Sequence, residues 1–284
     1  MSNKVIFLQD LFKEHHTGGA ELNDDTFIQF LDNQGILHEK KQTQYVNPEY
    51  LEKNKDKFFI VSNFVNLSTV AKAYMYKNCE YALYEHDYKF LKCRNPIFFP
   101  DFKGPKRELT NINYYRGAKK VICLSKMHMD IFADNMPWLD NLININCSLF
   151  DDDLLEYLGS FSEKPKTKKY AVIKSGNRIK RTAEAVEYCK KNNLEYELIS
   201  SPDNREFLKK LSEFECLIVM TGHPEPTPRI VVEAKSMNTK ILGQKHLIGV
   251  ASEYWYHLNG RELISELRVI REKAFKTFLE VING

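Results

Sequence analysis

Glu225 and Glu233 stand eight positions apart in the stretch 219–242, which reads VMTGHPEPTPRIVVEAKSMNTKIL. Thr227 is a preferred N-cap residue and Pro228 suits the first helical turn, so we predict that a helix begins there. Glu225 then lies just outside the helix N-terminus, and Glu233 lies on its second turn. The unpaired N–H groups between them suit an anion, while a nearby carboxylate can accept both hydrogens of a vicinal diol. A nucleotide diphosphate sugar carries both groups.

Two predicted strands flank this helix. The apolar run 216–220 is short and uninterrupted, which is the pattern of a strand buried on both faces of a parallel sheet. A second strand is predicted at 240–242, directly after the helix stops at Asn238. Between the strands, the helix is expected to bury Ile230, Val231, Ala234 and Met237.

The second glutamate also allows a purely structural interpretation. Arg229 and Glu233 are four residues apart on one helix face, a spacing that gives a surface ion pair worth about 0.2–0.5 kcal/mol. The buried strand before the helix, the Thr-Pro turn and the strand after the helix favour the ligand-binding interpretation.

The order Glu, seven residues, Glu, Ala resembles the E-x7-E signature of retaining glycosyltransferases of the GT-B fold, especially glycosyltransferase family 4. The resemblance implies an α/β protein with two Rossmann-like parallel-sheet domains that face a cleft, in a compact version. It also implies that Glu225 contacts the donor sugar as a catalytic residue and that Glu233 binds the ribose hydroxyls. The donor diphosphate would lie against the start of the helix, at Thr227, Pro228, Arg229 and Ile230.

A pair of glycines follows the first predicted strand, 5–9, and precedes a predicted helix. A strand, a glycine-containing loop and a helix form the opening unit of a doubly wound fold, where ligands bind beyond the carboxyl ends of strands. Gly18 and Gly19 can let the backbone approach a ligand closely. They resemble the GGAE stretch of family 4, in which this loop faces the donor across the cleft.

A second glycine turn opens the other half of the chain. Gly176 follows the predicted strand 170–174 and precedes Arg178 and Lys180, so the turn offers amides and cations to a pyrophosphate. It resembles the family's Gly-Arg-then-Lys turn, but with a compressed spacing. The sequence leaves open whether Lys180 or Arg181 replaces the family lysine. The alternative is a set of basic residues on a solvated helix end.

Three ionisable residues, Glu85, His86 and Asp87, stand directly after the predicted strand 81–84. The carboxyl end of a parallel strand is a good place to line a ligand site. In the resembled family a residue here contacts the donor sugar, and the acceptor enters nearby. If the reaction inverts the sugar instead of retaining its configuration, one of these three would have to serve as general base. The structural alternative for His86 is a neutral histidine bonded to backbone.

Asp151 and Asp153 form an Asp-x-Asp pair, the motif that metal-dependent glycosyltransferases of another fold use to hold Mn or Mg. We predict a helix start instead, because three consecutive aspartates before an apolar helix complement its N-terminal dipole. No metal site is therefore expected.

The chain is expected to divide near a linker at 159–169, which is rich in Ser, Pro and Lys. Residues 1–159 would form a Rossmann-like acceptor-side domain and residues 160–284 the nucleotide-sugar-binding domain. The family resemblance implies that the terminal helix, predicted at 262–282, packs back toward the first domain. The segment 94–111 is expected to be an extended loop whose aromatics pack on their own domain or on an acceptor.

Composition limits the functional classes. The 43% hydrophobic content is that of a folded protein, yet no apolar run approaches the roughly 20 residues of a membrane span. The net charge of +3 is too small for a typical nucleic-acid-binding protein, and the absence of GxGxxG argues against a nicotinamide cofactor. Six cysteines without CxxC spacing are expected to be reduced core residues in a cytoplasmic protein.

The sequence and the family resemblance together predict a metal-independent glycosyltransferase without a cofactor, whose donor is a UDP or GDP sugar. Retention of configuration is implied by the resemblance alone. Its acceptor hydroxyl, on a glycan, lipid or other molecule, is not specified, and neither is the oligomeric state. A peripheral membrane contact is compatible with the sequence. Two alternatives stay open: a non-catalytic nucleotide- or sugar-binding module of the same fold, and a nucleotide-sugar epimerase.

Overall fold

The structure, a computed structural model, describes residues 4–284 of the chain. It is an α/β protein in which each of two compact units contains its own parallel sheet, as the sequence predicts. Unit 1 comprises the described residues up to Leu149 together with Ile270–Gly284, and unit 2 comprises Phe150–Val269.

Unit 1 is built on a six-stranded sheet in the order β2-β1-β3-β4-β5-β6, and every neighbouring pair is parallel. The strands are β1 (Val5–Gln9), β2 (Leu37–Gln42), β3 (Phe58–Val61), β4 (Glu80–Tyr84), β5 (Val121–Cys123) and β6 (Leu142–Asn144). The connecting helices are α1 (Gly19–Asn33), α2 (Pro48–Lys53), α3 (Thr69–Asn78), α4 (Ile112–Gly117) and α5 (Lys126–Asn135).

Unit 2 is built on a four-stranded parallel sheet in the order β10-β9-β7-β8. Its strands are β7 (Thr167–Ile173), β8 (Tyr196–Ile199), β9 (Phe214–Val219) and β10 (Lys240–Gly243). Its helices are α6 (Asp152–Gly159), α7 (Thr182–Lys191), α8 (Asn204–Leu211) and α9 (Arg229–Ser236). A last helix, α10 (Gly260–Asn283), begins in unit 2 and ends in unit 1.

The central strands of unit 1 are buried on both faces. In β1, Ile6 and Leu8 belong to the core on one side of the sheet, while Val5 and Phe7 belong to the core on the other side. The second core includes the C-terminal part of α10, whose Phe278 ring stacks on Phe27 of α1 with ring centroids 3.9 Å apart. The uninterrupted apolar runs of the sequence therefore correspond to strands covered by helices on both sides.

Three elements of unit 1 were not expected from the sequence: β2, α2 and α4. The edge strand β2 reads LHEKKQ, and none of its six residues is buried. An edge strand pairs on one side only and needs no apolar face, so its sequence lacks the hydrophobic signal of a strand. The helices α2 and α4 have six residues each, too short for a helical hydrophobic period to show.

Several boundaries in unit 2 differ from the expectation. Helix α9 begins at Arg229, with Pro228 as the N-cap residue, one position later than predicted for each. Ile230 is only half-buried. In α7 the buried residues are Ala185 and Cys189, which share one helix face. Helix α8 ends at Leu211, and Phe214 opens β9.

The segment 94–111 is irregular, as predicted, and contains three short 3-10 turns. Phe99 and Phe102 pack against the core of unit 1, whereas Phe98 is 70% exposed. The expectation that all cysteines are core residues is wrong for Cys93, which is exposed, and for Cys79, which is half-buried. Among residues 4–284, no helix has the length and apolar character needed to span a membrane.

The Phe27–Phe278 stack should be a major contribution to the stability of unit 1. Phe278 is fully buried, so Phe278→Ala is expected to lower the free energy of unfolding by about 3–5 kcal/mol through lost transfer energy and a residual cavity. Urea unfolding followed by circular dichroism would measure this loss. Val269→Ala, at a 44% exposed position of the same helix, should change it by less than about 0.5 kcal/mol. Equal effects of both variants would contradict the packing described here.

Candidate functional site

Glu225 is fixed by its backbone in the loop after β9. Its N–H donates to the carbonyl of Leu247 at 2.9 Å, and its own carbonyl accepts from the N–H of Gly249 at 2.8 Å. Its carboxylate accepts from Lys180 Nζ at 2.9 and 3.1 Å. The glutamate side chain is 13% exposed and the lysine side chain 32% exposed, so the pair is accessible. The fold thus joins one residue from each of two sequence-predicted binding segments.

The glycine turn before α7 is held in shape by local hydrogen bonds. Thr182 Oγ1 donates to the carbonyl of Ile173 at 2.8 Å and so closes the turn onto the end of β7. The N–H of Gly222 donates to the carbonyl of Ile179 at 2.8 Å, which ties the turn to the loop after β9. A side chain at Gly176 would meet no atom within 4 Å, so the space around this residue is open.

The structure distinguishes the three basic residues of this turn. Lys180 contacts Glu225, whereas Arg181 lies with its Nε 4.0 Å from Glu184 of α7. Arg178 is exposed. Of the two residues that the sequence left open, Lys180 is therefore the one placed against the glutamate of the E-x7-E motif.

Glu233 is a buried carboxylate and not part of a surface ion pair. It is 4% exposed, and its Oε1 lies 3.7 Å from Nε of Arg229, which is itself 8% exposed. The guanidinium of Arg229 lies 4.0 Å from the ring centre of Phe150, a cation–π contact within unit 2. Burial raises the pKa of Glu233, and the attraction of Arg229 opposes this only in part. The increase in pKa caused by loss of water around the carboxylate is therefore larger than the decrease caused by Arg229, which is too distant for a hydrogen bond.

The start of α9 borders a small recess. Its lining includes Lys180, Glu225, Pro228 and Ile230. Pro228 has no N–H, and the N–H of Val231 already donates to the Pro228 carbonyl at 2.9 Å. Of the residues expected at the anion site, Pro228 therefore contributes no backbone donor.

In unit 1, Glu85 follows β4 and is completely buried. Its Oε2 accepts from Lys89 Nζ at 2.7 Å and its Oε1 from the Tyr115 hydroxyl at 2.7 Å. Burial raises the pKa of Glu85, while Lys89 opposes the shift. A carboxylate enclosed with its own cation and hydroxyl cannot reach a substrate, so its position is that of a structural ion-pair partner.

Asp87 is also engaged in ion pairs. It accepts from Lys89 Nζ at 2.9 Å and from Arg94 Nε at 3.0 Å. Burial alone would raise the pKa of Asp87, but the two cations lower it to about 2. Its backbone carbonyl lies 3.1 Å from Nε2 of His128, a histidine that the sequence analysis did not single out. Burial lowers the pKa of His128 to about 3, so this residue is neutral. Its contact with the Asp87 carbonyl fixes the loop that follows β4.

His86 differs from its two neighbours. Its Nε2 lies 2.7 Å from Oδ1 of Asp24, and no cation is paired with the imidazole among the described residues. The structural alternative considered for His86, a hydrogen bond to backbone, is therefore replaced by a bond to a carboxylate. Asp24 is fully buried in α1 and was missed by the sequence analysis.

A signal for Asp24 was nevertheless present in the sequence. It lies three, four and seven residues before Phe27, Ile28 and Leu31, so it shares a helix face with three apolar residues. A carboxylate on the buried face of a helix needs a partner, because burying an isolated charge is costly. The partner could not be found from the sequence, since His86 is 62 residues away.

Gly18 is the N-cap residue of α1 and Gly19 its first residue, so the predicted glycine turn opens a helix. A side chain at Gly18 would place its first carbon 2.3 Å from Oε2 of Glu21 and 3.1 Å from Nε2 of His16. Both atoms are at the ends of side chains that can move aside, and the φ angle of Gly18 is −100°, so neither crowding nor the backbone conformation requires a glycine here.

The three aspartates begin α6, which confirms the predicted helix start. Asp151 is the N-cap residue and its Oδ1 accepts from the N–H of Leu154 at 2.7 Å. Asp152 pairs with Arg268 and Asp153 with Arg205. Between residues 4 and 284, no group of three or more His, Cys, Asp or Glu side chains is arranged to hold a metal ion.

No protein-family model matches the sequence, and no curated protein matches it. Solved structures do match over nearly the whole chain. HepE from Anabaena, in complex with UDP and glucose, is 14% identical with a TM-score of 0.55, covering 97% of this chain and 99% of its own. The catalytic domain of starch synthase IV from Arabidopsis thaliana, bound to ADP and acarbose, is 9% identical with a TM-score of 0.59, covering 100% and 95%.

Sucrose-phosphate synthase from Thermosynechococcus elongatus matches in the same way, with 10% identity, a TM-score of 0.57 and coverage of 98% and 99%. These neighbours are of the GT-B type, and the two parallel sheets of the present chain share their architecture. The chain therefore has the GT-B fold. At these identities the likeness concerns the fold and leaves the activity to be argued from the residues.

The neutral state of His128 should make the protein sensitive to acid. An unfolded histidine takes up a proton near pH 6.5, whereas folded His128 does so only near pH 3, so stability is lost as the pH falls between these values. His128→Gln removes this contribution. The free energy of unfolding measured in urea at pH 7 and at pH 5 should fall more for the wild type than for the variant. An equal fall in both proteins would show that His128 is not buried in its neutral form.

Proposed function

We propose that this protein is a glycosyltransferase that moves a sugar from a nucleotide diphosphate sugar to an acceptor hydroxyl. The observation that carries the proposal is the pairing of Lys180 with Glu225 at the start of α9, followed on the same helix by the buried carboxylate of Glu233. A cation and the positive end of a helix dipole suit a diphosphate, and a desolvated carboxylate suits a diol. The GT-B fold and the nucleotides bound by HepE and starch synthase IV support the same conclusion.

The diphosphate would be bound by charges and dipoles of unit 2. Lys180 has three N–H donors and donates to Glu225 at one edge of the recess. Arg178, which is exposed, lies on the same short turn. The N–H groups at the start of α9 add the positive end of a helix dipole. Together they would stabilise the charge that develops on the leaving diphosphate, so catalysis would consist mainly of positioning and charge stabilisation.

Glu233 would bind the ribose. Its carboxylate has four lone-pair positions, and Arg229 at 3.7 Å is too distant to occupy them with hydrogen bonds. Two hydroxyl hydrogens of a vicinal diol would therefore replace lost hydration at a site that already lacks water. Glu225, on the loop before α9, would contact the donor sugar.

Metal independence and retention of configuration are the finer parts of the proposal. The cations and amides of unit 2 supply the counter-charge that a divalent metal supplies in metal-dependent transferases. Retention is supported by the E-x7-E resemblance. UDP and GDP sugars are the proposed donors, and a cytoplasmic location is proposed from the sequence.

A binding panel and a turnover assay test the proposal together. Thermal shifts with UDP, GDP, ADP, TDP and CMP should identify a nucleoside diphosphate that stabilises the protein, and its sugar derivative should be hydrolysed or transferred equally well with EDTA. Binding without turnover would support the non-catalytic module, and conversion of the donor without an acceptor product would support an epimerase. Activity lost with EDTA, restored by Mn or Mg and lost in Asp151→Asn and Asp153→Asn would overturn the proposed mechanism.

Glu233→Gln should weaken nucleoside diphosphate binding by about 1.5–3 kcal/mol, which is the scale of hydrogen bonds to a charged group and corresponds to roughly 10- to 150-fold in Kd. The substitution should not lower the stability of the fold at pH 7, because burial disfavours the ionised form of Glu233 that the neutral glutamine replaces. Isothermal titration calorimetry would measure the affinity. Glu187→Gln, on the exposed face of α7, is the matched control. Equal affinity of both variants and the wild type would remove Glu233 from the ligand site.

A further inference from the structure

An open cavity of about 610 Å³ lies on the surface of unit 1, between α3 and the segment that leads into α4. This volume is within the range of roughly 300–1,000 Å³ that is usual for small-molecule sites. Every residue that lines the cavity belongs to unit 1. The lining includes two lysines, Lys72 and Lys77, and none of the described residues in it is acidic. The cavity therefore carries a net positive charge.

Lys72 is a half-buried cation without a counter-ion. Its Nζ donates to Oδ1 of Asn111 at 3.3 Å and lies 5.0 Å from the ring centre of Phe64. No carboxylate of residues 4–284 forms an ion pair with it. Burial lowers the pKa of Lys72, and the attraction of Asp10 and Glu85 opposes this only in part. The fold therefore disfavours the charge on Lys72, and an anion in the cavity would compensate for that cost.

The amide of Asn111, which contacts Lys72, is held in one orientation. Its Nδ2 donates to the carbonyl of Lys89 at 2.8 Å, so its Oδ1 is the atom that faces Lys72. The preceding residue, Thr110, is fixed by its N–H, which donates to the carbonyl of Phe90 at 2.7 Å. One of the three N–H donors of Lys72 therefore has a fixed acceptor, and the other two make no hydrogen bond within the described chain.

Two aromatic rings form the apolar part of the cavity. Tyr114 is 3% exposed and stacks on Tyr81 with ring centroids 4.9 Å apart. The Tyr76 ring is 39% exposed and lies against α4, where a side chain at Gly117 would place its first carbon 2.4 Å from Cδ2 of the ring. Tyr76 is therefore an accessible ring supported from behind, which suits the apolar face of a ligand.

This lining suits a sugar that carries a negative charge. A pyranose ring has an apolar C–H face, which fits an aromatic ring, and an edge of hydroxyl groups, which fits the side chains of Thr110, Asn111 and Asn113. The ammonium groups of Lys72 and exposed Lys77 suit a carboxylate or a phosphate. A neutral sugar would leave Lys72 without a counter-charge, and a simple inorganic anion would leave the aromatic side of the cavity empty.

We propose that this cavity of unit 1 binds an anionic sugar, whose carboxylate or phosphate contacts Lys72 and Lys77 and whose ring packs on Tyr76. The cavity shares no residue with the recess at the start of α9. The inference therefore goes beyond the proposed function, because it assigns a second ligand to the protein and requires no turnover.

Calorimetric titration with glucuronate, glucose-6-phosphate and glucose tests the class of ligand. At least one of the two anions should bind, and glucose should bind at least about 10-fold more weakly, because only the anions compensate the charge of Lys72. The tighter of the two anions distinguishes a carboxylate from a phosphate as the charged group. Equal binding of glucose, or no binding of either anion at millimolar concentration, would overturn the inference.

Lys72→Met keeps the length and apolar stem of the side chain and removes its charge. It should weaken binding of the anionic sugar by about 10-fold or more, and it should not lower stability, since burial disfavours the ammonium. Lys53→Met is the matched control, because it removes one charge from a 70% exposed side chain of α2 in the same unit. Tyr76→Ala should weaken binding of the anionic sugar and leave that of inorganic phosphate unchanged. Equal affinities of Lys72→Met and Lys53→Met would contradict the assigned contact.

Hydrogen–deuterium exchange locates the bound sugar. With a saturating concentration of the anionic sugar, exchange should slow in peptides that cover 69–77 and 109–114. Protection confined to unit 2, or loss of binding in Lys180→Met but not in Lys72→Met, would place the sugar at the proposed diphosphate site. That result would overturn the inference and leave the proposed function standing. If Lys72→Met does not fold, the position of the protected peptides in the wild type decides whether the cavity is the site.

Discussion

The carboxyl ends of parallel strands all meet at one edge of a sheet, and the functional interpretation of this protein depends on that constraint. In unit 2 the edge brings together the turn after β7 and the loop after β9, which is why Lys180 meets Glu225. In unit 1 the same edge brings Ser62, after β3, next to the residues that follow β4. Polar groups that are distant in sequence are therefore neighbours because their strands are adjacent and point in the same direction.

The charged residues at this edge differ between the two sheets. Unit 2 combines exposed or half-exposed cations with a buried carboxylate, an arrangement that suits an anion and a diol. At the corresponding edge of unit 1, the charges of Glu85 and Asp87 are balanced by Lys89 and Arg94. His86, between these two residues in sequence, pairs with the buried carboxylate of Asp24.

Burial decides the role of each ionisable residue at these edges. Residues 85–87 are consecutive in sequence, yet their environments differ. Glu85 is enclosed in an ion pair, Asp87 accepts from Arg94, and His86 contacts the buried carboxylate of Asp24. Arg229 and Glu233 have the spacing of a surface pair, but the start of α9 is buried and their interaction is one between desolvated charges. The spacing in the sequence specifies which side chains can come into contact, and the surrounding packing determines whether the contact is a solvated or a desolvated ion pair.

The sequence by itself determined the parallel α/β class, most strands, the helix start at Asp151 and the segments that carry Gly176, Lys180, Glu225 and Glu233. These follow from local patterns: apolar runs for doubly buried strands, capping residues for helix starts and glycines for turns. It did not reveal β2, whose polar residues lie at a sheet edge, or the pairing of Asp24 with His86. Only the tertiary structure decided these features, because strand pairing and burial depend on contacts between residues far apart in the chain, for which a local pattern contains no signal.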